Sequence, residues 1–214
     1  MSDTASDDSI ELSLVGVGPH PEPWPTDPRL DPDLLKLGDR RNVVDKYRYW
    51  SVEAVSADLD KERFPYHVAV ENWEKDLNLG SIVRTANAFL AAEVHIVGEK
   101  RWNRRGAMVT DRYQHIHHHP DVAAFSEWAN EAQLRIIGID NLEDSLPIET
   151  TELPRECILF FGQEGPGMSA EAQAICEVIL HISQFGSTRS INASAAAAVA
   201  MHGWIRQHVF DQTV

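Results

Sequence analysis

The chain is read as an α/β protein with a mainly parallel sheet and helices on both faces. Two observations predict this. Short runs rich in Val, Ile, Leu and Phe recur at 66–71, 93–98, 134–139, 157–161 and 178–182, and helical patterns separate several of them. Short apolar strands alternating with helices belong to a sheet buried on both faces. Glycines and small polar residues also gather where such runs end, at Gly162–Gly167 and around Gly186, and ligands of parallel α/β sheets collect at the carboxyl ends of strands.

In chain order, residues 1–33 contain eight acids, one arginine and six of the prolines. Such a segment has too little apolar surface to offset chain entropy, and an extended or disordered leader is expected. Residues 34–63 read as a helical extension, with Arg40, Arg41, Lys46 and Arg48 interleaved with Tyr47, Tyr49 and Trp50. That mixture suits single-stranded nucleic acid, and equally a solvated helix packed on a core. The main domain is placed at 64–214. After the strand at 66–71, residues 80–91 read as a helix, 122–133 as a second, 169–177 as a third, and 190–208 as an alanine-rich closing helix.

The net charge is −14, which by itself argues against a nucleic-acid partner. Its distribution changes that: residues 1–33 sum to −7 and 114–214 to −9, whereas 34–113 carry fourteen basic and twelve acidic groups for +2. The densest basic cluster, Lys100, Arg101, Arg104 and Arg105 around Trp102, follows the strand at 93–98. With Arg112, and with Arg40, Arg41 and Arg48, it is the candidate surface for phosphate contact. No apolar run is long enough to span a bilayer and the acidic start lacks the parts of a signal peptide, so a cytoplasmic protein is expected. Cys157 and Cys176 are read as buried, reduced thiols.

Three segments carry the chemistry: Asn78-Leu-Gly-Ser-Ile-Val-Arg-Thr-Ala86, 158–169 with its Gly-Gln-Glu-Gly-Pro-Gly loop, and Gly186-Ser-Thr-Arg-Ser-Ile-Asn-Ala-Ser194 leading into alanines. The glycine loop has neither the Lys-Ser or Lys-Thr pair of a nucleotide-triphosphate loop nor the dinucleotide spacing. A backbone-lined pocket for an adenosyl group suits it better. Asn78, Ser190 and Asn192 also read as helix caps, Arg84 as an exposed helix residue and Glu164 as a solvated loop acid.

Taken together, in this order and spacing, the segments resemble the SpoU/TrmH family of AdoMet-dependent RNA ribose 2′-O-methyltransferases of the SPOUT superfamily, over roughly residues 66–210. The resemblance implies a C-terminal trefoil knot, a homodimer, and S-adenosyl-L-methionine held in the knot. It assigns cofactor contact to Phe161, Gly162, Gln163, Glu164, Gly165, Ile182, Gln184, Gly186, Ser190, Ile191, Asn192 and Ser194. It implies catalytic roles for Asn78, Arg84, Glu164, Ser190 and Asn192. Arg84 activates the ribose hydroxyl in the family; as a guanidinium with a pKa above about 12 it is an awkward base, and stabilising the forming alkoxide is the other role open to it. The expected substrate is tRNA or rRNA. A base-methylating SPOUT enzyme and a non-catalytic RNA-binding protein are the alternatives. The chain departs from the family pattern in reading Ile182-Ser-Gln-Phe-Gly186, where many relatives have Pro and Met after the isoleucine, and in Ile191 and Ala193, where Leu and Val are common.

The run His115-Ile-His-His-His119 places alternate histidines on one face of a strand, where zinc is conceivable. With only Asp121 nearby in sequence to complete a site, a polar strand is expected and no metal.

Overall fold

Runs rich in apolar β-branched and aromatic residues form the central strands of the computed structural model, which describes residues 16–73 and 78–212. The strands are β1 (Tyr66–Asn72), β2 (Val94–Gly98), β3 (Ile116–His119), β4 (Arg135–Ile139), β5 (Leu146–Pro147), β6 (Cys157–Phe161) and β7 (Val178–His181). They make one seven-stranded sheet in the order β3-β2-β1-β6-β4-β7-β5. Every pairing is parallel, as expected for strands joined through crossovers. β5 escaped the sequence reading: it is two residues long, includes a proline and lies at the sheet edge, where a missing N–H is tolerated.

Alternation along the strands divides the core into two layers. On one face Tyr66, Val68, Val70, Ile137, Leu159 and Phe161 pack with Leu79, Ile82 and Val83 of α3 (Asn78–Ala88) and with Ala197, Ala200, Met201 and Trp204 of α6 (Ala193–His208). The alanines keep α6 narrow enough to lie close to α3, and Trp204 fills the remaining space, its ring 4.5 Å from that of Tyr66 and its Nε1–H donating to Pro154 O. On the other face Ala69, Val97, Ile158 and Phe160 meet Val122, Phe125 and Ala129 of α4 (Val122–Glu131) and Ala172 of α5 (Ala170–Ile175). Asp121, Ser169 and Asn192 cap α4, α5 and α6 through their side-chain oxygens. The closing helix thus begins at Ala193, three residues later than read, because Asn192 is its cap.

The chain divides into two compact units at Ala54/Val55. In the first, residues 16–31 run in irregular backbone up to the first helix, whereas residues 1–15 of the expected leader lie outside the described residues. Bridges Val17–Asp39 and Leu30–Trp50 hold it, and Tyr49 Oη donates to Gly18 O at 2.6 Å. The helical content is α1 (Pro32–Leu37), a 3₁₀ turn at Asp45–Tyr47, and α2 (Val52–Leu59), which runs across the division between the units. Asp39 is fully buried and accepts from the Arg41 guanidinium at 2.7 Å and from the N–H groups of Arg41 and Tyr49. Burial raises its carboxyl, but the Arg41 side chain and these N–H groups outweigh burial and hold the pKa at about 2.

Candidate active site

Asn78 opens α3, and its side chain is almost wholly buried. The local pattern suits a cap; instead the side chain is shared with two other segments. Its Nδ2 donates to Glu164 Oε2 in the loop after β6. Asn192 Nδ2 donates to Asn78 Oδ1 at 2.8 Å and to Glu164 Oε1 at 3.0 Å. Asn192 Oδ1 meanwhile accepts from Ser194 N at 3.0 Å and Ser194 Oγ at 2.6 Å. One amide therefore caps α6 with its oxygen and joins the other two segments with its nitrogen. The structure brings together Asn78, Glu164 and Asn192, residues 28 to 114 positions apart.

Beside this cluster lies a cavity of about 280 Å³ at the carboxyl ends of β4, β6 and β7. Of the residues that the resemblance assigns to cofactor contact, Phe161, Gly162, Gln163, Glu164, Gly165, Ile182, Gln184, Ser190, Ile191 and Asn192 line it, whereas Gly186 and Ser194 stand outside that lining. Gly162 is required by a close crossing of backbone: a Cβ there would lie 2.2 Å from Gly167 C and Met168 N. The Gln163 and Gly167 backbones close the loop with two hydrogen bonds of 3.1 Å. Gln184 Oε1 is buried with no hydrogen-bond partner among the described residues, an acceptor left over for a ligand donor.

Sequence reasoning missed Ile139, Asp140, Asn141, Gly167, His181, Ala193 and Ala196 in the lining. Asp140 directly follows β4; it accepts from Met168 N at 2.8 Å and so braces the glycine loop. Asn141 Nδ2 donates to Arg189 O at 2.8 Å, tying the third segment to the same strand end. The available signal was position, since polar residues just beyond a parallel strand face the ligand end of the sheet.

Arg84 lies on α3, exposed, its side chain making no hydrogen bond or ion pair among the described residues. Ser190 is exposed at the pocket wall. Of the basic candidates, Lys100, Arg101, Arg104, Arg105 and Arg112 are exposed. Their segment, with 3₁₀ turns at Arg104–Ala107 and Thr110–Arg112, packs on the first turn of α3. Gly80 permits this approach, because a Cβ there would meet Ala107 N at 2.8 Å. Between the turns Met108 and Val109 are held left-handed at φ 48° and 71°, a costly conformation for a β-branched residue. Arg40 is exposed. Arg41 and Arg48 turn inward within their own unit: Arg41 pairs with Asp39, and Arg48 Nη1 donates to Arg41 O at 2.8 Å.

The sequence profile of the SpoU rRNA Methylase family matches residues 65–202. The tRNA (guanosine(18)-2′-O)-methyltransferase of Thermus thermophilus is 27% identical over 146 residues, covering 66% of this chain and 75% of that enzyme. Among solved structures, the TrmH/SpoU tRNA modifying enzyme of A. aeolicus aligns with a TM-score of 0.66 at 19% identity, over 75% of this chain and 83% of that one. The SpoU methyltransferase AviRb of Streptomyces viridochromogenes, solved in complex with AdoMet, aligns with a TM-score of 0.63 at 21% identity, over 69% and 62% of the two chains. At these identities the structural likeness speaks for the α/β fold.

Proposed function

Since this chain belongs to the SpoU rRNA Methylase family, we propose that it methylates a ribose 2′-hydroxyl of structured RNA, tRNA or rRNA, with S-adenosyl-L-methionine bound in the glycine-loop cavity. The observation that carries the reading is the hydrogen-bonded cluster of Asn78, Glu164 and Asn192 beside that cavity. Bound AdoMet would supply an electrophilic methyl for the ribose 2′-oxygen.

The chain's own groups fit that cofactor. Ile139, Phe161, Ile182 and Ile191 give apolar walls, the loop from Gly162 offers backbone polar groups without side-chain bulk, and the unpartnered Gln184 Oε1 accepts. Glu164, held by two amides, presents a carboxylate of defined orientation where the ribose approaches. Arg84 has no protein partner among the described residues, so its guanidinium is available to the RNA, where it stabilises the developing alkoxide by charge and hydrogen bonds. The exposed cations of 100–112 take the RNA phosphates. The reading includes a homodimer, a cytoplasmic location and a knot formed by the segment after β6; the Asn141–Arg189 bond, which ties that segment to the end of β4, supports the last. No helix among the described residues is long and apolar enough to cross a membrane.

The test is transfer of labelled methyl from AdoMet to RNA of a methyltransferase-deficient strain, wild type beside Arg84→Ala. Label in an alkali-resistant dinucleotide, reduced about 10²- to 10³-fold in the variant with AdoMet affinity retained, is the expected outcome. Label on a base would assign the enzyme to base methylation. No transfer despite AdoMet binding would make it an RNA-binding protein.

A further inference from the structure

The histidine run of β3 acquires its meaning from its neighbours. In the parallel register Ala69 pairs with His95, and His95 with His117. Paired residues, and residues two apart on a strand, share a face. His67, Glu93, His95, His117 and His119 therefore stand on one face of three adjacent strands. His67, His95 and His117 are each the second residue of their strand, so the cluster is at the amino ends, opposite the AdoMet cavity.

The donor atoms converge. His67 Nδ1 and His95 Nε2 are 3.1 Å apart, and each is 3.6 Å from Glu93 Oε2. His117 Nε2 lies 3.3 Å from the other Glu93 oxygen. A tetrahedral zinc with bonds of about 2.0–2.1 Å requires donor separations of about 3.3–3.4 Å, and the three edges among His67 Nδ1, His95 Nε2 and Glu93 Oε2, at 3.1, 3.6 and 3.6 Å, bracket that value. Around them is a built shell. His95 is fully buried; its Nδ1 meets His119 Nε2 at 3.0 Å, the outer hydrogen bond that leaves Nε2 for a metal. The Trp128 ring covers His95 at 4.0 Å between centroids, and Phe125 packs beside it. On the other side the Glu93 and His117 side chains are 31% and 48% exposed, which opens a path of entry.

We propose that His67, Glu93 and His95 form a zinc site that clamps β1 to the start of β2, with the fourth position open on the exposed side. Two imidazoles in the donor set suit zinc over calcium or magnesium, and zinc accepts the carboxylate beside them. The expectation of no metal rested on the run 115–119 alone, whereas two of the three central donors come from strand β2 and its start and the third from β1. The inference is independent of the methyl-transfer reading.

The test uses the full chain without a polyhistidine tag, stripped with chelator and titrated with Zn²⁺ against a chromophoric competitor, and separately with Co²⁺. The expected result is one zinc per chain and the intense visible bands of tetrahedral cobalt. Glu93→Gln and His67→Asn should each weaken zinc at least tenfold and abolish those bands. His118→Ala, whose ring bonds Gly98 O, should bind as wild type. Failure of the wild-type protein to bind zinc saturably, or cobalt bands of octahedral type, would overturn the site without reference to any variant. Wild-type affinity in both Glu93→Gln and His67→Asn would overturn it as well.

Discussion

Replacing Asn192 separates the two tasks of one side chain. Asn192→Ala removes the cap on α6, worth about 1 kcal/mol. It also removes the Nδ2 bonds to Asn78 Oδ1 and Glu164 Oε1, of 2.8 and 3.0 Å. A bond to a neutral acceptor contributes about 1 kcal/mol and one to a carboxylate about 1.5–3; Asn192 and Glu164 are both exposed, which puts these two bonds together nearer 1–2 kcal/mol. The total of about 2–3 kcal/mol corresponds to roughly 5–10 °C in Tm for a chain of this size. Asn192→Ser keeps a capping oxygen and loses the amide donor, so it should recover about 1 kcal/mol, or about 2–4 °C, relative to Asn192→Ala. Both variants leave Glu164 unanchored on one side, and both should lose methyl transfer about 10²-fold, the scale of a misplaced reacting group. Thermal melts and single-turnover methyl transfer on the three proteins decide it. Equal melting of the Ser and Ala variants refutes the capping argument. Wild-type transfer by Asn192→Ser refutes the role given to the amide bridge.

Gly162→Ala drives a methyl into the Gly167–Met168 backbone and should cost about 1–3 kcal/mol or more, with AdoMet affinity falling by at least tenfold in equilibrium dialysis. Asp39, held at about 2 in the folded protein, has a depressed pKa. Its contribution is therefore complete above the unfolded value near 4 and is lost as pH falls from about 4 to about 2, amounting to about 2 kcal/mol. Asp39→Asn should remove that part of the acid dependence in denaturant titrations between pH 5 and about 2. Burial pushes the thiols of Cys157 and Cys176 up to about 12, so neither should react with a thiol reagent at pH 8 until the protein unfolds; rapid labelling of Cys157 in the native protein would contradict the buried β6.

The strands were legible because runs such as Cys157–Phe161 are apolar throughout, as a sheet covered on both faces demands. The pocket residues were legible wherever glycine or a small polar group interrupted such a run. Asp140 and Asn141 were not, since an acid and an amide after a strand look like any turn until β4 is known to lie between β6 and β7. The individual bonds that fix residues 16–31 were also hidden. Composition measures apolar surface, whereas that segment is held by individual polar bonds such as Tyr49 Oη to Gly18 O and the bridge from Val17 to the buried Asp39.

What the sequence by itself determined is the content of each local element: which runs become strands, which residues cap helices, and where glycine lets backbone pass. Those properties depend on neighbours a few positions away. Which residues meet was decided by the tertiary structure alone. Asn192 reaches Asn78 across 114 positions, and His67 reaches His95 across 28. The physical reason is register: a parallel pairing aligns residues by where each strand starts, and crossovers of arbitrary length leave no trace of that alignment in sequence spacing.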